Sequence, residues 1–145
     1  MVDLIAPGTV EQKSQEGIRP CTDNDFAQVT RLFQQAFPKN LKLFGNDLEN
    51  HFEKIYLNNP WADDKYQSLV FERNGEVDGF IGIIPRKMRF RGRPITAAVS
   101  SMLMVKPDAS GNRNPLTGIS LMRRFLSGPQ DLSLTDTAND TTRPI

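Results

Sequence analysis

The stretch Val105–Leu126, VKPDASGNRNPLTGISLMRRFL, decides the fold. It opens as the end of a strand, crosses a loop rich in Gly, Asn and Pro, and then takes up a helical period. Leu121, Met122, Phe125 and Leu126 form one stripe, and Arg123 and Arg124 turn away from it. A loop feeding the first turn of a helix leaves backbone N–H groups without internal partners at the positive end of the helix dipole, where anions bind. Thr117 is placed as N-cap, and Gly111 and Gly118 have no side chain to keep a pyrophosphate from the backbone. On composition alone, an ordinary strand-to-helix connection with a Gly/Pro turn is an equal reading. The stretch matches neither GxxxxGK followed by Ser or Thr nor GxGxxG, so it supports neither a nucleotide-hydrolysing loop nor a dinucleotide fold.

Working upstream, ITAAVSSMLMV (residues 95–105) is a run without charge, the pattern of a strand covered on both faces and central in its sheet. Before it, SLVFERNGEVDGFIGII reads as two strands joined through Asn74-Gly75, the dipeptide that best tolerates the positive φ angles of a tight hairpin. A second turn falls at Gly92. Two helical patterns precede the hairpin: one after Thr22 or Asp23 as N-cap, with Phe26, Val29, Leu32, Phe33, Ala36 and Phe37 at helical spacing, and one through DLENHFEKIYL with Leu48, Phe52, Ile55 and Tyr56 on a face. Downstream, Ser127–Pro129 ends the last helix and DLSLTD reads as a short final strand.

The order is strand, two helices, three strands, helix, strand. It predicts an α+β fold of three-layer type, with a mixed, largely antiparallel sheet flanked by helices. Residues 1–17 have no period and read as a flexible leader, so the domain is expected to span 18–145.

Composition bounds what such a domain does. With 145 residues, 38% of them hydrophobic, the chain supports one modest core. A net charge of +1, with both signs dispersed, offers no general attraction to nucleic acid or anionic membrane. No apolar run reaches transmembrane length, and the N-terminus lacks signal-peptide regions, so a cytoplasmic location is expected. One cysteine and one histidine cannot assemble a common Cys/His metal site, and no metal is expected.

From Ile18 onward the chain resembles the GNAT superfamily of acetyl-coenzyme A-dependent N-acyltransferases. IRPCTDNDFAQVTRLF, LVFERNGEVDGFIGI and MLMVKPDASG with GISLM carry the resemblance. Val105, Pro107, Gly111, Gly118, Leu121 and Met122 fit the family's outline of Val-x-Pro, Gly-rich residues and Gly-x-x-Leu-Leu. Ser110 stands where the family has Arg or Gln, Arg113 is the substitute basic residue, and the span from Gly111 to Gly118 is about three residues longer than usual. The resemblance implies acetyl-CoA as acyl donor and direct attack by an amine acceptor of unidentified kind. It implies that the backbone of Leu103, Met104 and Val105 pairs with the pantetheine arm like a further strand. It also implies that the backbone from Gly111 through Ile119, including Asn112, Arg113 and Gly118, holds the pyrophosphate, and that Asn139 matches an Asn that contacts the pantetheine. Finally, it implies a domain lacking the family's last helix and strands, with an unpaired sheet edge open to self-association. The family's base is often a carboxylate on or near the central strand, but Thr96–Val105 holds none. Catalytic residues therefore stay unassigned. A non-catalytic acyl-CoA-binding or protein-interaction module is the alternative.

Other residues invite chemistry less strongly. In PRKMRFRGRP, an extended strand would put Lys87, Arg89, Arg91 and Arg93 on one face and Met88 and Phe90 on the other. This is a solvated hairpin tip or, less favoured, a nucleic-acid contact. Trp61 either lines an acceptor pocket or anchors its loop. Cys21 has no assignable base, His51 falls on a solvated helix face, and Ser100 and Ser101 are expected to hydrogen-bond within the sheet.

Overall fold

The computed structural model describes residues 15–39 and 47–136. Strand β1 (Glu16–Pro20) leads through a 3-10 turn (Asp23–Asp25) into helix α1 (Phe26–Ala36), and α2 (Leu48–Tyr56) follows. A second 3-10 turn (Asp64–Tyr66) precedes β2 (Leu69–Arg73), β3 (Glu76–Phe90) and β4 (Arg93–Val105), then α3 (Pro115–Leu126) and β5 (Leu132–Thr135). The leader falls almost wholly outside the described residues, and β1 already begins at Glu16.

The five strands lie in chain order in one sheet. β1 to β4 are antiparallel neighbours, and β5 runs parallel to β4, with α3 as the crossover between them. The fold is therefore α+β with a mixed sheet. Asn74-Gly75 makes the first hairpin with φ of 52° and 81°, and Arg91-Gly92 repeats the device with 49° and 77°.

That second turn changes the expected distribution of charge. Arg91 lies in the turn, and Arg93 pairs with Phe90, so it shares the face of Phe90 and Met88 while Lys87 and Arg89 keep the other. Simple alternation fails here because a two-residue turn folds the strand back on itself.

Helices cover both faces of the sheet. On one, Phe26, Val29, Leu32 and Phe33 of α1 and Phe52 and Tyr56 of α2 bury against Val70, Phe80 and Met104. On the other, Leu121 and Phe125 of α3 bury against Ile81, Ile83 and Ala98. Gly79 sets the approach of α3, because a Cβ there would stand 2.8 Å from Thr117 Cγ2 and 2.9 Å from Leu121 Cδ1. Arg19 of β1 ties the entry to α1, donating to both carboxylate oxygens of the buried Asp25 at 2.7 and 2.8 Å. Thr22 N–H adds a third bond to that carboxylate at 2.8 Å.

Candidate active site at the β4 bulge

β4 is interrupted midway. Phe80 pairs with Met104 but Gly82 pairs with Ser101, so two steps on β3 match three on β4. The extra residue is accommodated at Met102, whose φ of 61° is left-handed, a conformation a non-glycine side chain resists. A bulge of this kind bends its strand and ends pairing on one side. β5 pairs with β4 only from Ala97 to Ser100, and the last contact is Asp136 N–H to Ser100 O at 3.3 Å. Beyond it, the edge of β4 from Ser101 to Val105 has no strand partner among the described residues. The fourth strand of five thus presents a short length of unpaired backbone beside the first turns of α3.

The residues along that edge point alternately to the two cores. Met104 is buried under α1 and α2, and Leu103 packs on the α3 side. Val105 faces α3, with its Cγ2 3.5 Å from the place a Gly118 Cβ would occupy. Ser101 does not bond within the sheet as expected. Its hydroxyl meets that of Tyr56 on α2 at 3.0 Å. Gly82 makes this possible, since a Cβ there would lie 2.2 Å from Tyr56 Cε1. Burial holds the Tyr56 phenol above its ordinary pKa, the Ser101 bond offsets part of that effect, and the charge of Asp136 adds to it. Tyr56, Ser101 and the start of the Asp136 segment therefore meet where β4 and β5 part. Sequence reading missed this meeting.

Helix α3 begins earlier than expected. Asn114, not Thr117, is the N-cap, and its side chain accepts from Leu116 N–H at 3.0 Å. Pro115 follows at the first helical position, where a missing N–H costs nothing. Thr117 is instead buried against the sheet at Gly79, because the helix must place a small side chain at that close approach.

The loop before α3 is held by Asp108. Its Oδ1 accepts from Ser110 N–H at 2.8 Å and Asn112 N–H at 2.9 Å, and its carbonyl accepts from Gly111 N–H at 2.9 Å. Gly111 supplies the positive φ of 81° that this turn requires. Arg113 reaches the end of α1, donating from Nη2 to Ala36 O at 3.0 Å. Gly118 and the exposed Ile119 lie on the first turns of α3. Asn139 lies outside the described residues. The structure thus sets Gly118 beside Val105, which follows Leu103 and Met104 on the freed edge of β4, while the amides of Gly111 and Asn112 already have partners within the loop.

Elsewhere, Cys21 is buried and desolvation pushes its thiol up to about 12, and His51 is exposed on α2. Trp61 is 49% exposed and stacks on Arg86, whose guanidinium carbon lies 3.7 Å from the ring centroid. None of the helices among the described residues is long and apolar enough to cross a membrane.

The mixed sheet, with its fourth strand bulged and parted from a parallel neighbour beside a helix N-terminus, matches a known family. Residues 17–128 match the acetyltransferase (GNAT) domain family. The chain belongs to that family. Among solved structures it is similar to a GNAT family acetyltransferase from Brucella melitensis in complex with acetyl-CoA (TM-score 0.60, 20% identity, 90% of this chain and 80% of that one). It is also similar to the aminoglycoside N-acetyltransferase AAC(6')-Iy in complex with CoA (TM-score 0.56, 17% identity, 94% and 86%). A third likeness is to a transcriptional regulator from Bacillus halodurans (TM-score 0.60, 15% identity, 90% and 85%). At these identities the likeness is one of fold. No curated protein matches the chain.

Proposed function

We propose that the protein is an N-acetyltransferase that moves the acetyl group of acetyl-CoA to an amine by direct attack. The observation that carries this reading is the freed edge of β4 from Ser101 to Val105, opened by the bulge at Met102 and flanked by Gly118. Unpaired backbone N–H and C=O groups on Leu103–Val105 suit an extended amide-bearing arm such as pantetheine, which would add to the sheet as a strand. The start of α3 favours negative charge through its dipole, so phosphates fit beside Gly118 and Ile119. Asp108 already uses the amides of Ser110 and Asn112, so pyrophosphate contact falls more on α3 than on the loop.

When bound, acetyl-CoA supplies a thioester, an acetyl group with a good leaving group. A β4 N–H near the bulge would polarise the thioester carbonyl; the amine would form the N–C bond, the C–S bond would break with its electron pair leaving on CoA as thiolate, and the proton shed by nitrogen would end on that thiol. The Tyr56–Ser101 hydroxyl pair stands beside the bulge, and its role in this reading would be to orient the amine. The fold alone also suits a binding module that does no chemistry, and turnover decides between the two. Free thiol should appear only when the chain, acetyl-CoA and an accepting amine are together. Tight acetyl-CoA binding with no thiol release across a broad amine panel would favour the module.

A further inference from the structure

Among the described residues, Arg86 is an arginine without an anion. It stands on β3 and stacks on Trp61, and its Nη1 is buried without a hydrogen-bond partner. Among the described residues it enters no ion pair. Burying part of a guanidinium with neither a counter-charge nor an acceptor is unfavourable. The stack is nonetheless built firmly. The Asn59 side chain accepts from the backbone N–H of Trp61 at 2.9 Å and donates to Ile55 O at 2.8 Å, which ties the loop backbone at Trp61 to the end of α2.

The position of this arginine follows from the sheet. Phe80, Gly82, Ile84 and Arg86 alternate onto the face covered by α1 and α2, opposite Met104, Ser101, Val99 and Ala97 of β4. Arg86 is four residues from Gly82, about 13 Å along the strand from the Tyr56–Ser101 pair. Helix α3 packs on the other face, so Arg86 and the Tyr56–Ser101 pair share one face of the sheet. Of the neighbouring charges, Arg93 shares the face of Arg86, Lys87 and Arg89 keep the other, and Asp63 and Asp64 follow Trp61 in its loop. From Arg86 to Arg93 the chain carries Arg86, Lys87, Arg89, Arg91 and Arg93 and no acidic residue.

We propose that Arg86, held by Trp61, is the subsite for an anionic group on the acceptor, so that the amine acetylated here carries a carboxylate or a phosphate and is not a polycation. This assignment rests on the acyl-transfer reading above for its meaning, although the anion site can be tested without it. A guanidinium takes either anion through paired N–H donors.

Trp61 is the only tryptophan, so its emission reports directly on ligands at Arg86. The full chain would be titrated with 6-aminohexanoate, with its neutral amide 6-aminohexanamide, with 4-aminobutyl phosphate and with kanamycin, at fixed ionic strength. The same amines would then be compared as acceptors in acetyl-CoA-dependent thiol release. At least one anionic amine should saturate the emission change and bind about tenfold or more tightly than the amide, as a charge-assisted contact implies. Carboxylate and phosphate arms identify the preferred anion. Arg86→Gln should erase the preference while leaving the affinity for acetyl-CoA unchanged, and Arg86→Lys should keep part of it. Equal binding of 6-aminohexanoate and its amide, tightest binding by kanamycin, or an undiminished anion preference in Arg86→Gln would overturn the assignment. Failure of the wild-type chain to bind acetyl-CoA would instead remove the transferase reading and leave the anion titration to stand by itself.

Discussion

Replacing Gly82 with alanine tests the geometry of the site and of the fold together. The new Cβ would lie 2.2 Å from Tyr56 Cε1, 2.6 Å from Cζ and 2.7 Å from the backbone oxygen of Ser101. Carbon atoms in favourable contact are roughly 3.5 to 4 Å apart, so the ring must retreat by more than an ångström or the strands must separate. The ring has little room. It is buried, meets Phe80 edge-on with centroids 5.3 Å apart and lies 6.0 Å from Phe52. Overpacking of a core typically costs about 1 to 3 kcal/mol, and losing the Tyr56–Ser101 bond adds about 1 kcal/mol. The expected destabilisation is therefore about 3 kcal/mol, or on the order of 10 °C in melting temperature for a chain of this size. Thermal unfolding followed by circular dichroism measures it. Gly17→Ala is the control, because nothing lies within 4 Å of that Cβ, and its effect should be under about 1 kcal/mol. In a Tyr56→Ala background the cost of Gly82→Ala should shrink, since the principal clash is gone. A Gly82→Ala variant as stable as wild type, or one whose cost ignores Tyr56, would refute the packing described for the bulge.

Other perturbations reach different parts of the account. Burial alone would raise the Asp25 pKa, but the bonds from Arg19 and Thr22 outweigh it and hold the group below its ordinary value of 3.8. A depressed folded pKa means that this stabilisation is complete above the unfolded value and is lost as pH falls through the folded one. Acid unfolding of Asp25→Asn should accordingly depend less on pH below about 4 than wild type, and identical acid profiles would contradict the assignment. With its thiol pushed up to about 12, Cys21 should resist iodoacetamide at pH 8 in the folded chain and react once urea unfolds it, whereas rapid native labelling would place it elsewhere. Asp108→Asn keeps the acceptor for the loop amides but removes a negative charge beside the proposed phosphates. Its affinity for acetyl-CoA should rise a few-fold at low salt, and a fall would argue that the phosphates lie away from this loop.

Much of the fold was legible because local chemistry and tertiary structure agree. Asn74-Gly75 demands a tight hairpin, and the chargeless run from Ile95 to Val105 demands a covered strand, so both appear as expected. The helix start was legible in principle. Asn114-Pro115 is an N-cap followed by proline at the first helical position, a signal stronger than the threonine three residues on. The bulge is different. Ser100-Ser101-Met102-Leu103 contains no glycine and no break in polarity, so nothing local marks Met102 as left-handed, and the pairing with β3 imposes it. The site itself depends on long-range meetings. Tyr56 and Ser101 are 45 residues apart, and the Arg86–Trp61 stack joins a strand to the loop after α2. Periodicity assigned Tyr56 correctly to a buried helix face but could not say which strand residue its hydroxyl would find.

The most direct test of the central claim is the binding of acetyl-CoA to this chain and to two variants at Gly118, measured by isothermal titration calorimetry. Alanine fits there, since its Cβ would meet Val105 Cγ2 at an ordinary 3.5 Å, whereas glutamate adds bulk and negative charge where the pyrophosphate is proposed to lie. The account predicts saturable binding by wild type, similar binding by Gly118→Ala and none detectable by Gly118→Glu. Binding that is undiminished in Gly118→Glu, or absent from a folded wild-type chain, would contradict it.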